Sequence, residues 1–356
     1  MIMKRYIVSM ACVIAALVSC QKNETPVEAA DENQPISLTL TATIGGDDTK
    51  VTYVDEENVL KAAWEAGDKV SLLSLDISGN LLSNDVFEAT SAGKSAEFEG
   101  SFTNDPATAS VWVYYPALTE GSGDGVQDSE AWHSPKTYTS DVLGVLYGAR
   151  QGTPYISRAG ATILQKEQSS SSHVGDYTML YGVADIDELL SEDFSVVLSN
   201  MSYVIKAEFT LPEEDMTIYN IQISCKNEDG TQSVRVSGTG WFYINSPENS
   251  AGNGSSTFHQ ICLGDDVDGG TGTGLELEGN KITVYFVGYS AKTYYAEKQA
   301  RDYPNVVAGD YFDISASVGK NSEWYDCVAK CSFTKDLTFE NGKMYRLSAT
   351  LAKQQP

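Results

Sequence analysis

Ile36-Ser-Leu-Thr-Leu-Thr-Ala-Thr-Ile44 alternates apolar and small polar residues without a break. That period of two fits a strand with one face in a core and the other in water, and no helix can use it. The signature recurs along the chain, in Val70–Leu75, Val111–Tyr115, Phe194–Leu198, Tyr203–Phe209, Ile218–Ile223 and Lys281–Val287. Between these runs lie turn clusters such as Gly45-Gly46-Asp47-Asp48, Glu228-Asp229-Gly230 and Asn341-Gly342. Helical periodicity is confined to about one turn at Ile186–Leu190 and a stretch near Ser140–Ala149. Short strands with frequent turns predict an all-β chain built of sandwiches, not an α/β fold.

A chain of 356 residues, 42% hydrophobic, has the material for two cores at ~100–200 residues per domain. The loosest composition runs from Gly121 to Ser172, with Gly121-Ser-Gly-Asp-Gly125 and the serines 169–172. A boundary just beyond it gives an N-terminal domain over 36–188 and a C-terminal domain over 189–356. Asn245–Ser256, rich in Asn, Ser and Gly, reads as an exposed excursion. Lys and Arg number 24 against 49 Asp and Glu, a formal charge of −25 with no basic block. Such a chain repels polyphosphate, which excludes nucleic acid as a partner.

Residues 1–19 read as an export signal: Lys4 and Arg5, an apolar run from Tyr6 to Val18, then Leu17-Val18-Ser19-Cys20. The apolar run is shorter than the roughly 20 residues that a permanent span requires. The segment resembles a bacterial lipobox, in which Cys20 is diacylated and becomes the new N-terminus. Gln21 after the Cys, in place of Asp, resembles the sorting signal of lipoproteins that leave the inner membrane. The expected location is therefore the outer membrane, lipid-anchored at the cell surface, with 20–35 as a flexible tether.

Several motifs then stand in order: Thr49-Lys-Val-Thr-Tyr53, Ala63-Trp-Glu-Ala-Gly-Asp-Lys-Val-Ser71, Gly93-Lys-Ser-Ala-Glu-Phe-Glu-Gly100 and Val113-Tyr-Tyr-Pro116. Asn200-Met-Ser-Tyr-Val-Ile-Lys206 and the closing Leu337-Thr-Phe-Glu-Asn-Gly-Lys-Met-Tyr-Arg-Leu347 follow. With the lipobox, this run resembles the fimbrillin-type surface lipoproteins of Bacteroidetes from Cys20 to Lys353. The resemblance implies two transthyretin-like β-sandwich domains in tandem and a structural or adhesive role in a pilus. It also implies assembly with other fimbrial subunits by donor-strand exchange: a protease removes the first strand and a neighbour's terminal strand fills the groove. Ile36, Leu38, Leu40, Ala42 and Ile44 share one face of the first strand. Tyr345, Leu347, Ala349 and Leu351 share one face of the last, which makes them the expected donor row. The family is typically cut after Arg, and no Arg lies between Cys20 and Arg150. Lys50 stands at the matching position, so processing there starts the chain at Val51; an uncut chain is instead an anchor or a non-polymerising surface protein.

Catalytic patterns are missing from the sequence. His133, His173 and His259 form no metalloprotease pair, no Ser sits in a nucleophile elbow, and surface or loop positions are expected for the histidines. Asp265-Asp-Val-Asp-Gly-Gly-Thr-Gly272 lacks the ligand order of a calcium loop and reads as a solvated turn. Cys225, Cys262, Cys327 and Cys331 have no zinc spacing. Buried free thiols are the default for them, with one or two disulfides as the alternative. No enzyme activity, metal or cofactor is expected. Twenty Tyr and five Trp support a second reading, a non-polymerising lipoprotein that binds glycan by stacking sugar on exposed rings. Trp132-His133, Trp241-Phe-Tyr243, Tyr294-Tyr295 and Trp324-Tyr325 are its candidates, while Trp64 and Trp112 are expected in cores. A host or microbial glycan or protein would then be the partner.

Overall fold

The computed structural model describes residues 35–45, 54–56, 59–61, 63–120, 145–150, 153–158, 162–190, 194–231, 240–245, 251–253, 259–267, 271–289 and 305–355. Strands are the dominant regular structure among them, as the alternation predicts, with two single helical turns and the remainder in turns and loops. In chain order the principal strands are β1 (Pro35–Ile44), β2 (Lys69–Leu75), β3 (Leu81–Ala89), β4 (Ser95–Thr103), β5 (Ser110–Tyr115), β6 (Thr162–Gln165), β7 (Leu180–Ala184) and β8 (Ser195–Asn200). They continue as β9 (Ser202–Thr210), β10 (Thr217–Lys226), β11 (His259–Leu263), β12 (Lys281–Tyr289), β13 (Tyr311–Lys320), β14 (Glu323–Ser332), β15 (Met344–Thr350) and β16 (Ala352–Lys353). One helical turn, Ile186–Leu189, falls where the sequence predicts it, capped by the Asp185 carboxylate accepting from Asp187 N–H. Val145–Arg150, near the other helical candidate, is a strand paired with Thr153–Arg158. The fragment is too short for periodicity to separate the two forms.

The first sheet closes on itself in the order β1-β8-β7-β5-β2-β3-β4. Where a sandwich was expected, one sheet wraps a single interior of Leu40, Ala42, Ile44, Trp64, Val70, Leu72, Phe87, Phe98, Phe102, Val111 and Val113 among others. Trp64 is its centre of gravity: its indole N–H donates to Ala42 O at 2.9 Å, and its ring meets Phe98 and Tyr115 edge-on at 5.0 and 5.3 Å. Gly100 leaves the space that Phe87 fills, since a methyl group there would lie 2.7 Å from the ring. β2 is buried on both faces, which explains why Val-Ser-Leu-Leu-Ser-Leu hardly alternates.

The second core lies between two sheets, β12-β9-β15 and β6-β11-β10-β13-β14-β16. Ile205, Ala207, Phe209, Val284 and Phe286 pack there with Ile221, Ile223, Ile314, Ala316 and Val318, and Phe339 meets the rings of Tyr203, Phe312 and Tyr345. This is a sandwich. The chain does not divide between the two sheet systems at one point. β8 lies beyond the expected boundary at 188 yet pairs with β1 and β7, while β6 lies before it and pairs with β11.

A third apolar cluster joins barrel to sandwich: Leu73, Leu75, Tyr114, Leu118, Met179, Met201, Ile244 and Tyr289. The Tyr114 hydroxyl donates to Ile244 O at 2.6 Å. Trp112, expected in a core, instead stands half-buried on the barrel's outer face, stacked with Tyr181 at 6.2 Å. Its neighbours Val111 and Val113 take the inward positions, and strand alternation leaves Trp112 the outside.

Candidate functional site

The candidate site consists of two separate strands, β1 in the barrel and β15 in the sandwich. β1 lies antiparallel to β4 from Pro35↔Thr103 to Thr43↔Ser95, and parallel to β8 from Thr41↔Ser195 to Ile44↔Leu198. It therefore closes the barrel. Its inward row deepens along the strand, from half-buried Ile36 and Leu38 to fully buried Leu40, Ala42 and Ile44. Burial of the Leu and Ile side chains contributes about 1.5–3 kcal/mol each, so the strand's hold rests on Leu40 and Ile44.

β15 runs parallel to β9 from Val204↔Met344 to Thr210↔Thr350. Its outer residues Arg346, Ser348 and Thr350 are exposed, and Leu347 and Leu351 are buried, with Tyr345 and Ala349 partly so. The Tyr345 hydroxyl donates to Thr338 O at 2.8 Å and accepts from Glu340 N–H at 2.7 Å, and burial raises its pKa. After Leu351 the chain crosses to the other sheet, where β16 pairs with β14 at Cys327↔Lys353. The four residues expected on one face of the last strand are indeed on one face. Placed beside β1 they repeat its buried half: Leu40-Thr-Ala-Thr-Ile44 against Leu347-Ser-Ala-Thr-Leu351. Each segment is held parallel to a neighbouring strand, and each buries both of its large aliphatic residues.

A second feature lies on the outer face of the larger sandwich sheet. Between Ile218 and Asn220 the β10–β13 register shifts by one residue, and Tyr219 is the extra one. A bulge of this kind turns a side chain out of the alternation. Trp324, directly across from Gly319 in the β13–β14 register, lies flat on the Tyr219 ring at 3.9 Å and 19°, yet remains 66% exposed. Nearby, the Lys320 ammonium pairs with Glu213 at 3.1 Å and the Tyr325 hydroxyl donates to Glu213 at 3.2 Å. Burial, then the Glu213 charge, pushes the Tyr325 pKa up to about 12. The sequence marked Trp324 through its loop-like surroundings; nothing in the sequence marked Tyr219, because a bulge depends on the partner strand.

The remaining candidates are dispersed. His173 and His259 are buried, contrary to the expected surface positions. The His173 Nε2–H donates to Tyr285 O at 3.0 Å, and burial lowers its pKa to about 4. His259 lies in β11 with its ring 5.3 Å from Phe286. The four cysteines are free thiols; Cys225, Cys262 and Cys327 are buried, and burial raises Cys327 to about 11. Within the acidic run, Asp266–Val267 pairs with Thr271–Gly272 as a small hairpin, and Asp265 N–H donates to Thr273 Oγ1 at 2.9 Å. No group of three or more metal-ligating side chains occurs among the described residues. None of the described helices is long and apolar enough to cross a membrane. Cys20, Lys50, His133, Trp132 and Tyr294-Tyr295 lie outside the described residues.

No protein-family model and no curated protein matches the chain. Among solved structures it is similar to a candidate cell adhesion protein from Bacteroides ovatus, at 12% identity over 91% of this chain and 96% of that one, with a TM-score of 0.38. A second candidate cell adhesion protein, from Bacteroides fragilis, matches at 10% identity over 90% and 98%, TM-score 0.40. A third, from Bacteroides uniformis, matches at 11% over 90% and 96%, TM-score 0.39. Superpositions this loose decide nothing about function.

Proposed function

We propose that the chain is a non-enzymatic, lipid-anchored protein of the bacterial outer surface, a structural or adhesive pilus component that joins other subunits by strand exchange. The observation that carries the reading is the match between the buried halves of β1 and β15, Leu-Thr-Ala-Thr-Ile and Leu-Ser-Ala-Thr-Leu. A groove shaped for the first accepts the second without a change in the size order of its inward side chains. The direction is also favourable. Among the described residues β15 is bonded along one edge, to β9, whereas the place of β1 offers β4 on one side and β8 on the other. An acceptor that has lost β1 presents unpaired backbone and an open apolar cleft, which an incoming strand repairs. The donor gives up its place beside β9 in exchange.

The reading requires removal of β1, and Lys50 lies between β1 and the next described strand. The test is the intact mass and N-terminal sequence of the protein taken from its native membrane. A chain starting at Val51 is the expected result. A chain starting at acylated Cys20 and still carrying Ile36–Ile44 would overturn exchange into this groove and leave an anchor or a monomeric surface protein.

A further inference from the structure

Trp324 is a large aromatic that the fold leaves exposed. A tryptophan face kept in water costs free energy in proportion to its area, and this one is held there by several independent features. The bulge aims Tyr219 outward. Gly274, at φ +88°, and Gly319 flank the Tyr219 ring so closely that a methyl group would meet it at 2.7 and 3.2 Å. The hairpin joining β13 to β14 turns through Asn321 and Ser322, both at positive φ (51° and 67°), and delivers Trp324 across the bare Gly319 onto that ring. One indole face is covered by Tyr219 and the other is open.

The next outward row on the same sheet, about 6.8 Å along the strands, is Asn220, Ser317 and Asp326, aligned across β10, β13 and β14. The Ser317 hydroxyl donates to Asp326 Oδ1 at 2.9 Å, which leaves the second carboxylate oxygen to accept from a ligand. A flat ring with an amide, a hydroxyl and a carboxylate one row away suits a pyranose. Its C–H face stacks on indole and its hydroxyls reach the polar row. The charges around the platform, Glu213, Glu323 and Asp326 against Lys320, disfavour an anionic glycan, as does the net −25 of the chain.

We propose that the Trp324–Tyr219 stack and the Asn220–Ser317–Asp326 row form a carbohydrate-binding surface for neutral pyranose chains. The proposal rests on the adhesive part of the function given above and is independent of strand exchange. The test uses the full-length protein extracted in detergent, run on native gels cast with mixed-linkage β-glucan, glycogen, yeast mannan or galactomannan, with heparin as the anionic probe. Retardation by at least one neutral polymer and not by heparin is expected. Trp324→Ala should weaken that binding at least tenfold by titration calorimetry at an unchanged melting temperature, with Trp324→Phe in between. Three outcomes overturn the proposal: no retardation by any of the four neutral polymers, retardation by heparin as strong as by them, or Trp324→Ala binding like the parent. The N-terminus of the same extract, Val51 or Cys20, decides strand exchange separately.

Discussion

His173 is a buried imidazole whose Nε2–H is committed to Tyr285 O and whose Nδ1 has no hydrogen-bond partner among the described residues. The rings of Tyr177 and Tyr285 face it edge-on, and neither carries charge at neutral pH. Its folded pKa of about 4 lies below the usual 6.5, so the neutral form is the folded one. The contribution is complete above pH 6.5 and is lost as pH falls toward 4, by about 3 kcal/mol in all. Asp68 acts in the opposite sense. Burial, then repulsion from Glu65 and Asp176, raises its pKa to about 6, so folding is penalised at neutral pH and relieved as Asp68 protonates on acidification. The two groups offset each other across the same window. His173→Gln should therefore be more acid-tolerant than the parent. Asp68→Asn should be more stable at pH 7.5 and lose stability more steeply between pH 6.5 and 4.5. Urea midpoints at those pH values check both, and parallel curves for the parent and the two variants would refute the assignment.

At the scale of elements, β1 is bonded along both edges and sits at a seam between two strands far from it in sequence on one side and near it on the other. A chain beginning at Val51 should lack that strand yet keep β2–β5, β7 and β8 in place around an open groove. A synthetic peptide of residues 35–45 should bind this chain and raise its melting temperature. A peptide of residues 344–353 should compete for the same groove, while Leu40→Asp in the first peptide should abolish binding by placing a charge in the apolar interior. No shift with either peptide would mean that the groove collapses once β1 is gone. The strands themselves were legible because alternation is a local property: β1, β9, β10 and β12 begin and end within a few residues of the sequence estimate. Closure of the barrel was not, since it depends on Thr41–Ile44 meeting Ser195–Leu198, two segments that carry no mark of each other. The same limit hid Tyr219, whose outward turn is created by the register of β13. It also misplaced Trp112, because Val111 and Val113 take the inward face of β5 and leave Trp112 on the outer one, half-buried against the junction cluster. The shared face of Tyr345, Leu347 and Ala349 in β15 was readable in advance, as alternation fixes which side chains share a face.

Across the whole molecule, stability should be shared between barrel and sandwich, because the cluster between them is built from both. Leu73 and Tyr114 are fully buried on the barrel's outer face, and Met201, Ile244 and Tyr289 complete the contact. Leu73→Ala leaves the barrel interior intact but opens a cavity at this junction, at about 2–5 kcal/mol. Tyr114→Phe leaves Ile244 O buried without its donor, at about 1–3 kcal/mol. Calorimetry on the parent should give one endotherm whose calorimetric and van't Hoff enthalpies agree. The double variant should give two, because each core keeps its own packing and only the coupling is lost. Two endotherms in the parent would show instead that barrel and sandwich unfold independently and that the shared cluster contributes little.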